Sequence, residues 1–362
     1  MKTTMKKGLS LLLILCLAAG ICLFAGCAQT PAESSAPAES LPQSEPEPVS
    51  EPEISDESPE PSEEPLPDEV RVLTLKGPTG MGMAKLISDA KKGETTLPYA
   101  FTVASAPDQI SAEVIKGSFE FAAVPVNLAS VLYNKTGGSV LVAAVNTLGV
   151  LYVLENGDTI HSVEDLKGKT LTATGQGSTP EYVLNYILSK NGIDPEKDLT
   201  VSYLAEHAEL ATQMTAGSVS IGMLPEPNVT SVLLNNADVR IALNLTEEWG
   251  RVSDTSLVQG VLIVSKAFAE AHPSAVKTFL EEYAQSVSFV QGNPDESSEL
   301  IAEAEIIPKA AVAKKALPNC NIVLLSGTES KNAISEMLKV LYEANPASVG
   351  GKLPGDDFYY LG

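Results

Sequence analysis

From residue 70 to residue 264 the chain alternates short apolar runs with segments whose apolar residues recur at helical spacing, and Gly, Pro or Asn marks most of the changes. The runs at 70–76, 99–103, 119–124 and 140–145 read as strands, with helices over 83–90, 108–116 and from Pro125 onward. After a further strand at 150–154 the order repeats. Strands fall at 170–174, 199–204, 220–224 and 239–243, with helices from about 180, over 208–216 and beyond Pro227. The run 119–124 is nearly all apolar after Glu120, as suits a parallel strand covered on both faces. Strands and helices alternating through short loops predict an α/β fold with parallel sheets. The apolar run 258–264 reads as one more strand, able to carry the chain back, and 265–362 is mostly helical, with helices over 273–291, from 294 and over 328–344.

The clearest single unit is 170–192. A strand ends at Gly175-Gln176-Gly177, and a helix follows whose stripe is Tyr182, Val183, Tyr186, Ile187 and Leu188, stopped by Asn191-Gly192. Ser178 with Glu181 has the spacing of a capping box, while Thr179-Pro180 offers an alternative N-cap with proline at the first helical position. Either start leaves backbone N–H groups pointing beyond the strand's carboxyl end. A similar unit occupies 70–90, with its loop at 77–82, and the segments that follow each unit also correspond. Gly117-Ser118 and Pro125 match Gly217-Ser218 and Pro225 at one constant offset, and Ser130-Val131-Leu132 matches Ser231-Val232-Leu233 with one residue inserted. The repeat is one of two α/β lobes, too long in period for a solenoid.

The N-terminal part is of a different kind. Lys2, Lys6 and Lys7 precede an apolar run over 9–25, the pattern of a signal peptide. Leu23-Phe24-Ala25-Gly26-Cys27 resembles the lipobox of bacterial lipoproteins, with Phe24 where that motif usually has leucine. The resemblance implies cleavage after residue 26 and lipidation of Cys27, whose several acyl chains would anchor the protein at the membrane. Residues 28–69 hold thirteen acids, ten prolines and no Lys or Arg. Such a segment reads as a disordered tether, able to reach on the order of 100 Å.

Composition then removes whole classes of function. The formal charge of −22 falls to −12 for residues 70–362 once the signal peptide and tether are set aside, a surface unsuited to nucleic acid. Cys320 is the one cysteine beyond residue 27, so the folded part can form no internal disulfide, and it reads as a buried small residue. His161, His207 and His272 are scattered, none beside a nucleophile and no two at metal spacing. We therefore expect no enzyme, no cofactor and no metal.

The run IHSVEDLKGKTLTATGQGSTPEYVLNYILSKNGI, the later GSVSIGMLPEP, and the returning strand followed by Ser265-Lys266-Ala267-Phe268 resemble the substrate-binding proteins of ABC transporters of the nitrate, sulfonate and taurine type. That group also includes binders of thiamine-pyrimidine precursors, and the resemblance covers about residues 70–345. It implies a two-lobed periplasmic-binding-protein-like (type II) fold, each lobe a mainly parallel sheet flanked by helices, with a two-strand hinge at 146–153 and 259–264. On this reading 1–26 is the signal peptide and 27–69 the lipidated tether. Lobe 1 takes 70–148 and 259–362, and lobe 2 takes 149–258. A small solute would be held between the lobes, outside the cell, and passed to the transmembrane subunits of an ABC permease by a monomeric receptor. A sensory module for a separate membrane signalling partner shares the fold and is one alternative, and an extracellular enzyme is the other, against which the scattered histidines speak.

Ligands in open parallel sheets lie beyond the carboxyl ends of the strands. Four loops should therefore line the site, at 78–83, 125–127, 175–179 and 225–228. They nominate Thr79, Met81, Asn127, Gln176, Ser178, Thr179 and Glu226, with Asn146 at the hinge. Each has a plainer reading. Thr79 suits a turn, Ser178 and Thr179 suit caps, Met81 suits a core, and Glu226 suits the start of its helix. Gln176, between two glycines, has no such duty. None of the three arginines, Arg71, Arg240 and Arg251, falls in these loops, so no bidentate clamp for an anion is visible, although helix N-termini could still hold a sulfonate. Tyr152 and Trp249 are the nearest stacking candidates, and both suit packing as well.

Overall fold

The computed structural model describes residues 66–362; the expected signal peptide, Cys27 and the expected tether as far as residue 65 lie outside the described residues. The first run of elements is β1 (Val70–Leu75), α1 (Pro78–Met81), α2 (Ala84–Lys92), β2 (Tyr99–Ala104), α3 (Pro107–Lys116), β3 (Phe121–Pro125), α4 (Val126–Lys135) and β4 (Val140–Leu148). The second is β5 (Leu151–Asn156), β6 (Thr170–Thr174), α5 (Thr179–Lys190), β7 (Thr200–Leu204), α6 (His207–Thr215), β8 (Ile221–Pro225), α7 (Asn228–Asn235), β9 (Val239–Asn244) and α8 (Leu245–Val252). The chain then continues through β10 (Val258–Ser265), α9 (Lys266–Ala271), α10 (Pro273–Gly292), α11 (Pro294–Glu303), α12 (Ala310–Ala316), β11 (Ile322–Leu325) and α13 (Gly327–Ala344).

The strands form two sheets, ordered β11-β4-β10-β3-β1-β2 and β7-β6-β8-β5-β9. Read from the β4 and β9 ends, with β11 added outside β4, the two orders correspond strand for strand. The internal repeat is thus a repeat of topology. Four of six strands in the first sheet and four of five in the second run one way. In each sheet the strand that has just arrived from the other one runs against its neighbours. β5 lies antiparallel between β8 and β9, and β10 lies antiparallel between β3 and β4.

The repeated sequence signals do the same local work twice. Gly117 ends α3 in the left-handed region at φ 72°, and Gly217 follows α6 at φ 73°. Their N–H groups donate to Val114 O and Met214 O, each at 3.0 Å. The next residues, Ser118 and Ser218, donate to Glu113 O at 2.9 Å and Gln213 O at 3.0 Å. These pairs close the carbonyls that a helix end leaves open, and only glycine takes that backbone without strain. The cores then form by alternation. β3 is buried along its apolar run, and Phe121 stacks on Phe279 of α10 at 3.9 Å between ring centroids.

The chain crosses between sheets twice. The first crossing is the two residues Gly149 and Val150, inside the predicted hinge. The second differs from expectation. β10 belongs wholly to the first sheet, so the crossing is 253–257 and not 259–264. That segment is held by α8, whose Trp249 Nε1 donates to Thr255 O at 2.8 Å. The sequence reading lacks α1, α8, α9, α12 and β11. All five are short, α8 contains Gly250, and α1 and β11 have four residues each.

At the far end of β5, Glu155 is almost fully buried and accepts from Thr159 N and Oγ1, from Ile160 N and from the Arg240 guanidinium at 2.8 Å. Burial raises its pKa, but these hydrogen bonds outweigh burial and hold the carboxyl below its ordinary value of 4.5. Its stabilising contribution is complete above pH 4.5 and is lost as the pH falls through the lower folded value. We expect Glu155→Ala to cost about 2–3 kcal/mol at pH 7 in urea denaturation, on the scale of hydrogen bonds to a charge, and the difference from wild type to shrink below pH 4.5.

Candidate functional site

In the first lobe the loop after β1 is clamped from below. Gly77 N donates to Ile306 O at 3.0 Å, and a Cβ on Gly80 would stand 2.2 Å from Leu75 O, so glycine alone fits there. Asn146 lies under this loop and is 1% exposed. Its Nδ2 donates to Thr79 O at 3.0 Å and its Oδ1 accepts from Thr147 Oγ1 at 3.2 Å. Gly260 makes room for it, since a Cβ there would come within 2.7 Å of that Oδ1. The Asn146 amide therefore positions Thr79. Met81 is fully buried in the core of the first lobe and lines no cleft. Asn127 is half-buried and donates to Ser348 O at 3.4 Å, turned toward the C-terminal segment.

In the second lobe Gly175 and Gly177 both take left-handed backbone, at φ 80° and 72°, and Gln176 stands exposed between them. Ser178 is the N-cap of α5, but the predicted capping box does not form. Ser178 Oγ donates to Gly175 O at 2.6 Å, and the Glu181 carboxylate accepts from Gly177 N at 2.6 Å, one residue earlier than a capping box requires. Both bonds tighten the glycine loop. A true capping box lies upstream, at Ser162 and Asp165. Thr179 is buried in the first turn of α5. His207, absent from the predicted set, joins this end of the lobe through a 2.7 Å hydrogen bond between Nδ1 and Thr174 Oγ1. Burial holds its pKa below the ordinary value.

Glu226 is 2% exposed and caps α7, accepting from Thr230 N at 3.1 Å and Thr230 Oγ1 at 3.0 Å. It also accepts from Asn319 Nδ2 at 3.1 Å, and the Tyr152 hydroxyl donates to Asn319 O at 2.8 Å. Tyr152 and Trp249 are both packing residues, 3% and 1% exposed. Burial pushes the Glu226 carboxyl above the ordinary range, and its hydrogen bonds offset this only in part.

The structure thus brings the predicted residues into two groups. Thr79 and Asn146 meet in the first lobe. Gln176, Ser178 and Thr179 share one loop of the second, with Glu226 at the end of the neighbouring strand. His207 and Asn319 were missed because the groups they bond lie far from them in sequence. All three arginines are spent on carboxylates: Arg71 on Glu120, Arg240 on Glu155 and Asp158, and Arg251 on Glu248. Among the described residues no His, Cys, Asp or Glu cluster could hold a metal ion. Two large hollows are open grooves on the first lobe, one of about 640 Å³ beside β2 and α3 and one of about 610 Å³ beside α10 and β11. No predicted residue lines either groove. The strand-end loops, whose polar groups are fixed by the hydrogen bonds described above, are the candidate site.

Two α/β lobes of the same topology, joined by two crossings and carrying polar loops at their strand ends, define the two-lobed periplasmic-binding-protein-like class. The chain belongs to the NMT1/THI5 like family, whose profile matches residues 105–297. A Parabacteroides distasonis structure described as an ABC transporter has a TM-score of 0.69 at 24% identity, covering 80% of this chain and 98% of its own. The periplasmic aliphatic sulphonate binding protein SsuA of Escherichia coli has a TM-score of 0.64 at 18% identity, with the same coverage. Both likenesses concern the fold. In sequence, YtlA of Bacillus subtilis (strain 168), a candidate binding protein, is 30% identical over 95 residues. That match spans 26% of this chain and only 28% of the relative.

A carboxyl whose pKa is raised in the folded state favours folding below its unfolded value and loses that advantage as the pH rises through the folded value. We therefore expect the stability of the wild type relative to Glu226→Gln to fall as the pH is raised from 4 toward 7, measured by urea denaturation. A difference that stays constant over this range would mean that the carboxyl is as well solvated in the folded chain as in the unfolded one.

Proposed function

We propose that this protein is an extracytoplasmic receptor that captures a small solute between its lobes and delivers it to the transmembrane subunits of an ABC importer. The observation that carries this reading is the loop between β6 and α5, which holds Gln176 exposed between two left-handed glycines and is stiffened from both sides. The binding proteins among the fold neighbours support it, and so does the binding role suggested for YtlA. The lipobox-like sequence at Cys27 and the acidic segment after it fit a monomer tethered at the outer face of the membrane. This reading assigns the polar groups at the strand ends to binding and calls on neither a cofactor nor catalysis.

Because no arginine is free, a sulfonate or nitrate would rest on backbone N–H groups at helix starts. An amine or aminopyrimidine would use side-chain acceptors such as Gln176. Thermal unfolding with taurine, alkylsulfonates, nitrate, aminopyrimidines, polyamines and aromatic acids separates these cases. A solute at a hundredfold above its dissociation constant should add about 2.7 kcal/mol of stability. We expect one chemical class to raise the melting temperature and Gln176→Ala to remove most of the rise. Chemical conversion of any of these solutes by the purified protein would overturn the receptor reading.

A further inference from the structure

The C-terminal segment packs mainly on the first lobe, yet it reaches the second at two separate points. α12 rests on α7, and α13 rests on α5 as well as on α4 and β4. Each contact ends in an asparagine. We propose that Asn319 and Asn345 are positioning residues that fasten the strand-end loops of the second lobe to the first, making 317–349 a strap that sets the closed arrangement of the receptor. The purpose assigned to the strap rests on the receptor reading; its contacts stand independently of it.

Both asparagines are anchored before they reach across. Asn321 takes a left-handed backbone at φ 43° and clasps the first crossing, accepting from Leu148 N at 3.0 Å and donating from Nδ2 to Gly149 O at 2.6 Å. Beyond it β11 pairs with β4, and Ile322 O accepts from Gln291 Nε2 at 2.6 Å. Two residues before this clasp, Asn319 meets the second lobe twice, through its side chain to Glu226 and through its carbonyl to the Tyr152 hydroxyl. Glu226 also caps α7 through Thr230, so the strap and the helix start share one carboxylate.

Asn345 is built in the same way. Its Oδ1 accepts from Ala347 N at 3.0 Å and fixes a turn over Pro346–Val349. Ser130 Oγ and Asn134 Nδ2 of α4 tie that turn to the first lobe through Val349 O, at 2.8 and 3.0 Å. From this footing Asn345 Nδ2 donates to the Tyr182 hydroxyl at 3.1 Å, which in turn donates to Gly177 O at 3.0 Å. The chain of bonds runs from α4 to the loop that carries Gln176. A rotation at the crossings that parted the lobes would break both contacts together, whereas the interior of each sheet would keep every bond it has.

Hydrogen exchange on the full chain, without solute, tests this directly. In the double variant Asn319→Ala, Asn345→Ala we expect protection of the amides in 175–182 and 226–230 to fall about tenfold, the change expected when one hydrogen bond's worth of stabilisation is lost. Protection in 121–125 and 170–174 should not change. Unchanged loops would overturn the proposal, and so would an equal loss in all four segments, which would mark the asparagines as ordinary structural residues. If the double variant does not fold, Tyr182→Phe and Asn319→Asp serve in its place. Tyr182→Phe should lower protection of 175–182 alone. Asn319→Asp sets a second carboxylate against Glu226, so the Thr230 amide should lose protection at pH 8 and regain it at pH 5. Tyr152 and Cys320, the other ionisable groups beside Glu226, are kept protonated by burial across that range. Equal protection at both pH values, or full protection of 175–182 in Tyr182→Phe, would overturn the strap. Because no solute is present, these results bear on the strap and leave the receptor reading to the melting experiment.

Discussion

The two halves of this molecule meet hardest at one glycine. A Cβ on Gly149 would lie 2.2 Å from Thr246 Oγ1 and 2.6 Å from Leu257 Cδ2. Gly149 belongs to the first crossing, Leu257 to the second, and Thr246 to the helix that leads into the second. The two crossings are therefore packed against each other, without space for a methyl group between them. Two connections in contact act as one axis, and a single axis lets two lobes rotate as bodies while each sheet keeps its ladder. The other interlobe features stand in relation to this point. Asn321 bonds to the carbonyl of Gly149, and β11 runs beside β4 up to it.

The repeat explains why the lobes look alike, and its departures explain why they differ in chemistry. The scaffold glycines and serines at 117, 118, 217 and 218 keep the same bonds at the same distances to within 0.1 Å. At the strand ends the correspondence stops. Where the second lobe has His207 starting α6, the first has Pro107 starting α3; where it has Glu226 after Pro225, the first has Val126 after Pro125. The framework is shared and the hydrogen-bonding groups are concentrated in one half.

Much of the fold was legible because its signals are local. Apolar runs bounded by Gly and Pro marked the strands of both repeats, and one constant offset between Gly117 and Gly217 disclosed the duplication. The site was legible only as loops. Gln176 between two glycines, and Glu226 at a helix start, could be read as positions. Nothing near residue 226 shows that Asn319 would reach it, or that Asn345 would find Tyr182, because those bonds join residues 93 and 163 positions apart. Met81 misled for a related reason. Of its two readings, wall of the cleft or core, the structure takes the core, because Gly80 and Gly82 leave no room for a Cβ against Leu75 O and Ile322 and so let α1 pack closely onto its lobe. The second crossing was misplaced because the apolar run 259–264 was read as the connection itself, whereas it is a strand of the first sheet whose Gly260 leaves room for the Asn146 side chain.

The central claim is that both crossings form a single packed hinge, and replacing one hydrogen atom tests it. Gly149 has no left-handed backbone to strain, so Gly149→Ala alters packing and little else. The new methyl must displace Thr246 and Leu257 together, and overpacking of this kind costs about 1–3 kcal/mol. Urea denaturation of the wild type and the variant at neutral pH should register that loss as a lower midpoint with an unchanged slope. An unchanged midpoint would mean that the crossings are not in contact, and the account of the two lobes as bodies turning on one axis would fail.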